Sequence, residues 1–543
     1  MNKTKNKFLL YLLALFLGIF IIKVIVSFMM YGTFVYVDEF CVLQKAYYFI
    51  HNFELRSCTD IIGRITSNQS PLYSILISPI YLFFSGFDAY YAILILNSLL
   101  VSSLVFPIYK ILKQFLKKEW LIYIFITITL FSASIFTLEK TVMTDTLFLV
   151  IGVWFLYFYF YSFIKNKKRN KIISIILAIL AVLTRPYGFI LPLALLINEF
   201  VLTKNKKNIL LLSTFFFVIA LTFIIVYKDI FFLFYIYTKI SSLLTFDGLY
   251  LFIISLKNQL NSIILPLFFL IPIIFVYFNF NKDLEKYNKI KFFILSFIIL
   301  NFLIGLQHIF GYYLGVATDN NPTSLNFLTR YLNLSITYIL LFSFIFLYNY
   351  KKIEINNSRF VIISTALFIP ILFVQYINIK YSQSFDIEFY NYFASALGTI
   401  ALFIFLFTIL IINNKHLTSI IIAILLIFNS FFSFQRLYLA SNNSNKMIIF
   451  DYFFENSNFN ILVENQFYIN KTLPDLTYPS IFWSLKLLSD HNVDMVYDLD
   501  KVQNIENYDY IIVPNDDSQN TALYQSHNHL FYTNFENVFE KID

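Results

Sequence analysis

The sequence predicts a polytopic α-helical membrane protein of about thirteen transmembrane helices, followed by a small extracytoplasmic α/β domain. Three observations carry this. Apolar stretches recur at the length of roughly 20 residues that a helix needs to cross a bilayer, where only helices or closed barrels satisfy the backbone. Of 543 residues, 59% are hydrophobic and 13% charged, against about 25% charged in soluble domains. After Arg436 the long apolar runs give way to short strand-like segments.

The first run, in "MNKTKNKFLLYLLALFLGIFIIKVIVSFMM", is too long for a cleaved signal and no small-residue cleavage site follows it. It reads as a retained signal-anchor over 8–30. Lys3, Lys5 and Lys7 place its N-terminal end in the cytoplasm. A large first external loop, 31–87, follows. Its apolar piece 71–86, "PLYSILISPIYLFFSG", has to stay at the outer interface. The reason is that the next run, 88–112, ends in the basic cluster Lys110, Lys113, Lys117 and Lys118 and so returns to the cytoplasm. Spans 120–138 and 146–164 come next. Between Lys171 and Lys204, "TRPYG" (184–188) divides two short apolar segments. One continuous span would sink Arg185 in hydrocarbon; a hairpin of two short helices puts it at the outward tip, where Pro186 and Gly188 suit a turn. The remaining spans are 208–228, 262–280, 292–310, 331–350, 360–379, 390–412 and 417–435. Aromatic-rich 231–239 reads as an interfacial stretch. In this arrangement cytoplasmic segments carry 23 Lys+Arg and external loops before residue 436 carry 10, as the positive-inside rule requires.

From Arg436 to Asp543 there are 6 basic and 15 acidic residues. The net charge of +8 therefore reports basic membrane flanks and gives no support to a nucleic-acid partner. Strand-like runs at 459–469, 493–500 and 508–515, with a helix-like 478–491, make an acidic α/β domain over 436–543, behind a transmembrane domain over 1–435. Cys41 and Cys58 both follow the first span. They are either two thiols or one disulfide, and the second needs an oxidising compartment.

Charged residues gather on the external side: the adjacent Asp38 and Glu39, then Glu139, Lys140 and Asp145 in "LEKTVMTDTLFL", Arg185 at the hairpin tip, and Arg330 with Tyr331 in "LNFLTRYLNL". At this boundary the dielectric falls and a cation can hold a lipid phosphate without full burial. Plainer readings stay open beside that one. The acid pair can be solvated, Asp145 can cap a helix, Arg185 can snorkel, and Arg330 with Tyr331 can anchor the interface. His308 reads as a packed or interfacial residue.

Taken in order, an Asp-Glu pair with following tyrosines, "SPLYSILISPIYLFFSG", "EKTVMTD", "LTRPYG" and "RYL" resemble superfamily C (GT-C) glycosyltransferases across about 8–440. The similarity is to the group holding protein O-mannosyltransferases and the lipid A aminoarabinose transferase. No WWDYG-like stretch appears, nor a three-part trefoil signature. The resemblance implies an enzyme with a polyprenyl-phosphate-linked sugar donor and a lipid, glycan or protein acceptor, multi-pass in the inner (plasma) membrane. It implies Asp38 as catalytic base with Glu39 its partner, Asp145 or Glu139 as the second acid, and donor-phosphate ligands among Arg185, Arg330, Tyr331, Lys140 and Lys239. The paired acids leave a divalent metal ion possible.

Other classes make different demands. A lipid or polysaccharide flippase calls for ionisable residues at mid-membrane depth and repeated halves, and neither is read here. An O-antigen ligase or polymerase carries its large loop late, whereas the clearest acid pair here is early. A catalytically dead scaffold would share the whole arrangement.

Overall fold

The first apolar run folds as one helix, α1 (Asn2–Met29), about 42 Å long at 1.5 Å per residue. Its segment Leu9–Phe28 is long and apolar enough to cross a membrane, as are Asp88–Leu112 and Thr144–Ile164. These match the expected spans 8–30, 88–112 and 146–164. The computed structural model describes residues 2–29, 37–55, 58–59, 65–67, 70–132, 135, 138–164, 167–200 and 292–303, seven positions from 334 to 345, and 460–464, 492–496, 509–514, 527–532 and 536–541. Expected spans 208–228, 262–280, 360–379, 390–412 and 417–435, and the stretch 231–239, lie outside the described residues.

Within the segment 31–87, read from sequence as an external loop, α2 (Val37–Asn52) begins soon after α1. The apolar piece that follows is α3 (Pro71–Ile77) running into a 3-10 turn, Ser78–Leu82. Pro71 suits the first turn of α3, where its missing N–H costs nothing. Pro79 then ends regular helix: it cannot donate to Ile75, whose carbonyl accepts instead from the Ser78 hydroxyl at 2.9 Å. Twelve such residues reach roughly 18 Å, too short to cross a bilayer. Both pieces pack on α2, with Ser74 Oγ donating to the Val42 carbonyl at 3.0 Å. A two-stranded ribbon, β1 (Cys58–Thr59) and β2 (Ile65–Ser67), is antiparallel. Cys41, buried in α2, is disulfide-bonded. The sequence left Cys41 either a thiol or half of a disulfide, and it is the second.

The run 88–112 is interrupted. Helix α4 (Gly86–Ser102) gives way to a turn, and α5 (Val105–Leu112) resumes. Pro107 lies four residues beyond Ser103 and excludes its carbonyl from helical bonding, so Phe106 N–H bonds there in a tighter turn at 3.2 Å. Expected span 120–138 is likewise not one continuous helix. Helix α6 (Glu119–Leu130) stops after 12 residues. Hydroxyls of Thr127 and Thr129 bond back to the Tyr123 and Phe125 carbonyls at 3.0 and 2.7 Å, and Ser132 Oγ takes the Thr129 carbonyl at 2.7 Å. Such back-bonding competes with the ladder.

Helix α7 (Thr144–Ile164) is followed by the expected hairpin. Helix α8 (Lys168–Thr184) ends at Arg185 in extended backbone, a 3-10 turn Pro186–Phe189 reverses the chain, and α9 (Ile190–Asn198) packs back on α8. Lys171 near the start of α8 meets Glu199 just after α9 at 3.4 Å, so the open ends of the arms coincide. Glycine is needed at 188 because a Cβ would collide with the Ala181 carbonyl of α8.

The chain forms two compact units. One comprises Met1–Leu17, Val101–Phe136 and Phe148–Phe432; the other comprises Gly18–Leu100, Thr137–Leu147 and Ser433–Asp543. The first has an aromatic core where α7 meets helix α10 (Phe292–Leu303). Phe155 and Tyr159 lie 5.4 and 4.8 Å from Phe293, and Tyr338 donates to the Gly152 carbonyl at 2.7 Å. Near the C-terminus a five-stranded mixed sheet has the order β4-β3-β5-β7-β6. Strands β3 (Asn460–Glu464), β4 (Asn492–Val496) and β5 (Tyr510–Pro514) correspond to the three runs read from sequence. Both β4 and β5 are parallel to β3, a pairing that requires crossover connections. The expected helix 478–491 falls in the first of these, outside the described residues. Strands β6 (His527–Tyr532) and β7 (Glu536–Lys541) add an antiparallel edge that was not read from sequence.

Replacing Gly188 by Ala should therefore destabilise the protein by about 1–3 kcal/mol, the usual cost of overpacking. Thermal unfolding of the purified protein in detergent measures this, and an unaltered midpoint would disprove the close approach.

Candidate active site

The unit made of Gly18–Leu100, Thr137–Leu147 and Ser433–Asp543 holds most of the acids singled out above. Asp38 is the second residue of α2 and Asp145 the second residue of α7. Each stands in a helix's first turn, where the peptide dipoles favour an acid. Asp145 is 3% exposed. Beyond Asp38's place in the helix, its side chain is outside the described residues. Glu39, one residue on, is fully buried. Its Oε1 accepts from the Val142 backbone N–H at 2.5 Å and from the Tyr90 hydroxyl of α4 at 3.2 Å.

Glu139 is fully buried as well. Its Oε2 lies 2.6 Å from Lys23 Nζ on α1, and Oε1 lies 3.2 Å from Lys140 Nζ. The second contact is an ion pair that does not meet hydrogen-bond geometry, since Oε1 accepts no hydrogen bond. Lys140 Nζ instead donates to the Lys23 carbonyl and to Ser27 Oγ, both at 2.7 Å. Burial lowers the Lys140 amine from its ordinary 10.5 to about 8, against the pull of Glu139 and with help from Lys23. The next peptide is held too: Asn97 Nδ2 donates to the Thr141 carbonyl at 3.1 Å while Asn97 Oδ1 accepts from Tyr73 at 2.7 Å. Burial pushes the Tyr73 phenol up, which keeps it a neutral donor.

The segment Glu139–Val142 is thus held by three elements: α1 grips Glu139 and Lys140, α4 grips Thr141, and α2 grips Val142. Lys23, Ser27, Tyr73, Tyr90 and Asn97 were not read as functional from sequence. Lys23 had a signal, being the ionisable residue inside an otherwise unbroken apolar run; Tyr90 and Asn97 carried none among so many aromatic and asparagine residues. Lys45 of α2 is also buried, which lowers its amine to about 8.

Arg185 belongs to the other unit. It is 5% exposed and its guanidinium carbon sits 4.1 Å over the ring of Tyr187, a cation–π contact backed by Phe148 against Tyr187 at 5.7 Å. Arg330, Tyr331, Lys239 and His308 lie outside the described residues. Among the described residues, no three His, Cys, Asp or Glu side chains come together to hold a metal ion.

No protein-family model matches the sequence, and no curated protein does. The fold is nevertheless that of solved proteins. Crystal structures of ArnT from Cupriavidus metallidurans match over 98% of this chain and 98% of theirs: the apo state at a TM-score of 0.53 and 12% identity, and the form bound to undecaprenyl phosphate at 0.55 and 13%. The chain is a helical membrane protein with an ArnT-like fold.

Removing one partner of a buried ion pair leaves the other charge uncompensated, which costs about 3–5 kcal/mol, whereas replacing both by apolar residues is often neutral. Glu139→Leu or Lys23→Leu alone should therefore lower thermal stability sharply, and the double variant should recover part of the loss, since Lys140 still lacks its carboxylate; additive losses would show that the two groups are not coupled. Lys140 gives a pH signature. Because its amine releases its proton near 8 when folded and near 10.5 when unfolded, the unfolded chain binds more protons in that window and stability rises with pH through it. Lys140→Met should remove that rise, as read by unfolding at a series of pH values between the two.

Proposed function

We propose that this protein is a membrane glycosyltransferase that moves a sugar from a polyprenyl-phosphate-linked donor to an acceptor outside the cytoplasm. The observation that carries the reading is the likeness along nearly the whole chain to ArnT, one of whose structures holds undecaprenyl phosphate. Two features support the sidedness: basic residues concentrate in the cytoplasmic segments of the expected topology, and the first-loop cysteine Cys41 is disulfide-bonded, as an oxidising compartment favours.

In the reaction, an acceptor hydroxyl or amine attacks the anomeric carbon while Asp38 takes its proton as general base. The bond from anomeric carbon to phosphate oxygen breaks on the opposite face, and the polyprenyl phosphate departs with the electron pair. A phosphate is already a stable leaving group, so no carboxylic acid has to protonate it, unlike the alkoxide released in glycoside hydrolysis. What it needs is cationic stabilisation of the charge that builds on it; Arg185 and Arg330, with Tyr331 and Lys239 as further candidates, are proposed for this. A single displacement inverts the anomeric centre. Asp145, buried in the first turn of α7, is proposed as the second acid. Lys140 is already engaged with Lys23, Ser27 and Glu139, which supports a role in holding its loop. Lys23 favours transport, because an ionisable residue within a span often marks a pathway. Its full burial and 2.6 Å pairing to Glu139 support a fixed structural charge instead.

The test uses the full-length protein in lipid nanodiscs and the cells that make it. Undecaprenyl phosphate should bind the wild type, and Asp38→Asn should leave that binding intact while cutting envelope glycan products, read by mass spectrometry, by roughly 10²–10⁴-fold. Arg185→Ala should weaken the binding by about 10- to 100-fold, the worth of a charge-assisted bond. Absence of binding by the wild type, or normal products from normally expressed Asp38→Asn, would end the reading.

A further inference from the structure

Proton transfer at Asp38 makes no use of the bonds that surround its neighbour. Glu39 Oε1 takes two donors, a backbone amide of the loop before α7 and a phenol of α4, in full burial. A carboxylate that must exchange a proton with a substrate needs an approach to it; this one faces Val142 and Tyr90.

The loop so gripped is short and closes on itself. Thr146 Oγ1, in the first turn of α7, donates to the Leu138 carbonyl at 2.8 Å, and Thr141 Oγ1 donates to the same carbonyl at 2.9 Å. Any displacement of Val142 is therefore carried into the turn that holds Asp145, three residues further on. The opposite side of the loop is fixed to α1 through the Lys23–Glu139 pair and the two bonds from Lys140. All of these residues belong to one compact unit.

We propose that Glu39 is a positioning residue: its carboxylate is a bracket that holds the loop 138–143, and with it Asp145, against the start of α2 where Asp38 stands. The proposal takes what is being positioned from the transfer reading above; the bracket itself stands on the hydrogen bonds alone. It also gives the adjacent acids separate duties. One acts on substrate, and its neighbour fixes the frame.

Hydrogen exchange of the full-length protein in nanodiscs, followed by mass spectrometry over peptide 138–147, tests the bracket without any substrate. Glu39→Ala should speed exchange there roughly 10- to 100-fold, the range expected for a lost hydrogen bond to a charged group. Glu39→Gln, whose carbonyl oxygen can accept both bonds, should stay within about threefold of wild type, and peptide 168–198 should not change in either. If Glu39→Ala does not fold, Glu39→Asp, shorter by one methylene, should give an increase of about tenfold or more. Unchanged exchange in the folded Ala or Asp variant overturns the bracket. Surface glycans at matched expression then separate positioning from direct chemistry: Glu39→Ala should lose products by about 100-fold, as a misplacement near 1 Å does, and Glu39→Gln should restore most of them. Should Glu39→Gln fall as far as Asp38→Asn while its loop stays protected, Glu39 acts on substrate itself and the positioning role is overturned. Should Asp38→Asn leave products unchanged, the transfer reading fails, and the exchange experiment still decides the bracket.

Discussion

An amine set in an apolar helix needs a partner, and here that partner comes from a loop more than a hundred residues away. Lys23 lies within the most exposed and apolar of the three membrane-length helices among the described residues, yet is itself fully buried against Glu139. Desolvating the two charges offsets much of their attraction, so the pair is better understood as specifying an arrangement than as adding stability. Of the loop conformations that could join α6 to α7, few would deliver a carboxylate to Lys23, a second amine to Ser27 and the Lys23 carbonyl, and a free N–H to Glu39. The remaining bonds of the loop follow from that selection.

The acids of this unit divide by their place in the chain. Glu39 and Glu139 are enclosed and engaged by donors from other segments. Asp38 and Asp145 each occupy the second position of a helix. A helix start is set by where the preceding loop ends, so fixing the loop residue by residue also fixes the acid that follows it. The same economy governs the α8–α9 hairpin, where Gly188 allows the turn to close on Ala181 and leaves Arg185 in extended backbone over Tyr187.

Much of this architecture was legible in the residues. Long apolar runs identified α1, the α4–α5 run and α7, since burial of backbone in hydrocarbon leaves few alternatives. Arg185 between two short apolar segments forced the hairpin on energetic grounds, and Lys171 meeting Glu199 is its geometric counterpart. Three of five strands in the C-terminal sheet showed as β-branched or aromatic runs, whereas β6 and β7, with His, Asn and Glu mixed among their apolar residues, did not. The α6 stop was hidden because its threonines count as ordinary span residues until their hydroxyls bond back to the ladder. The site was legible only as a collection of charges. Which charges hold structure depends on partners far along the chain, 116 residues apart for Lys23 and Glu139 and 103 for Glu39 and Val142, and no local spacing encodes that.

The adjacency of Asp38 and Glu39 then has a geometric reason. Successive residues of an α-helix stand about 100° apart around its axis. Two neighbouring acids at the start of α2 therefore stand on different sides of the helix, and placing Glu39 toward the loop and α4 turns the preceding position to another side. A shared duty, such as a proton relay or a common metal ion, is better met by acids three or four residues apart, which lie on one face. Neighbouring acids suit a division of labour in which one is spent on structure so that the other is held still. In a helix whose first turn carries both, moving the proposed base by even one residue would turn it toward the side that Glu39 occupies.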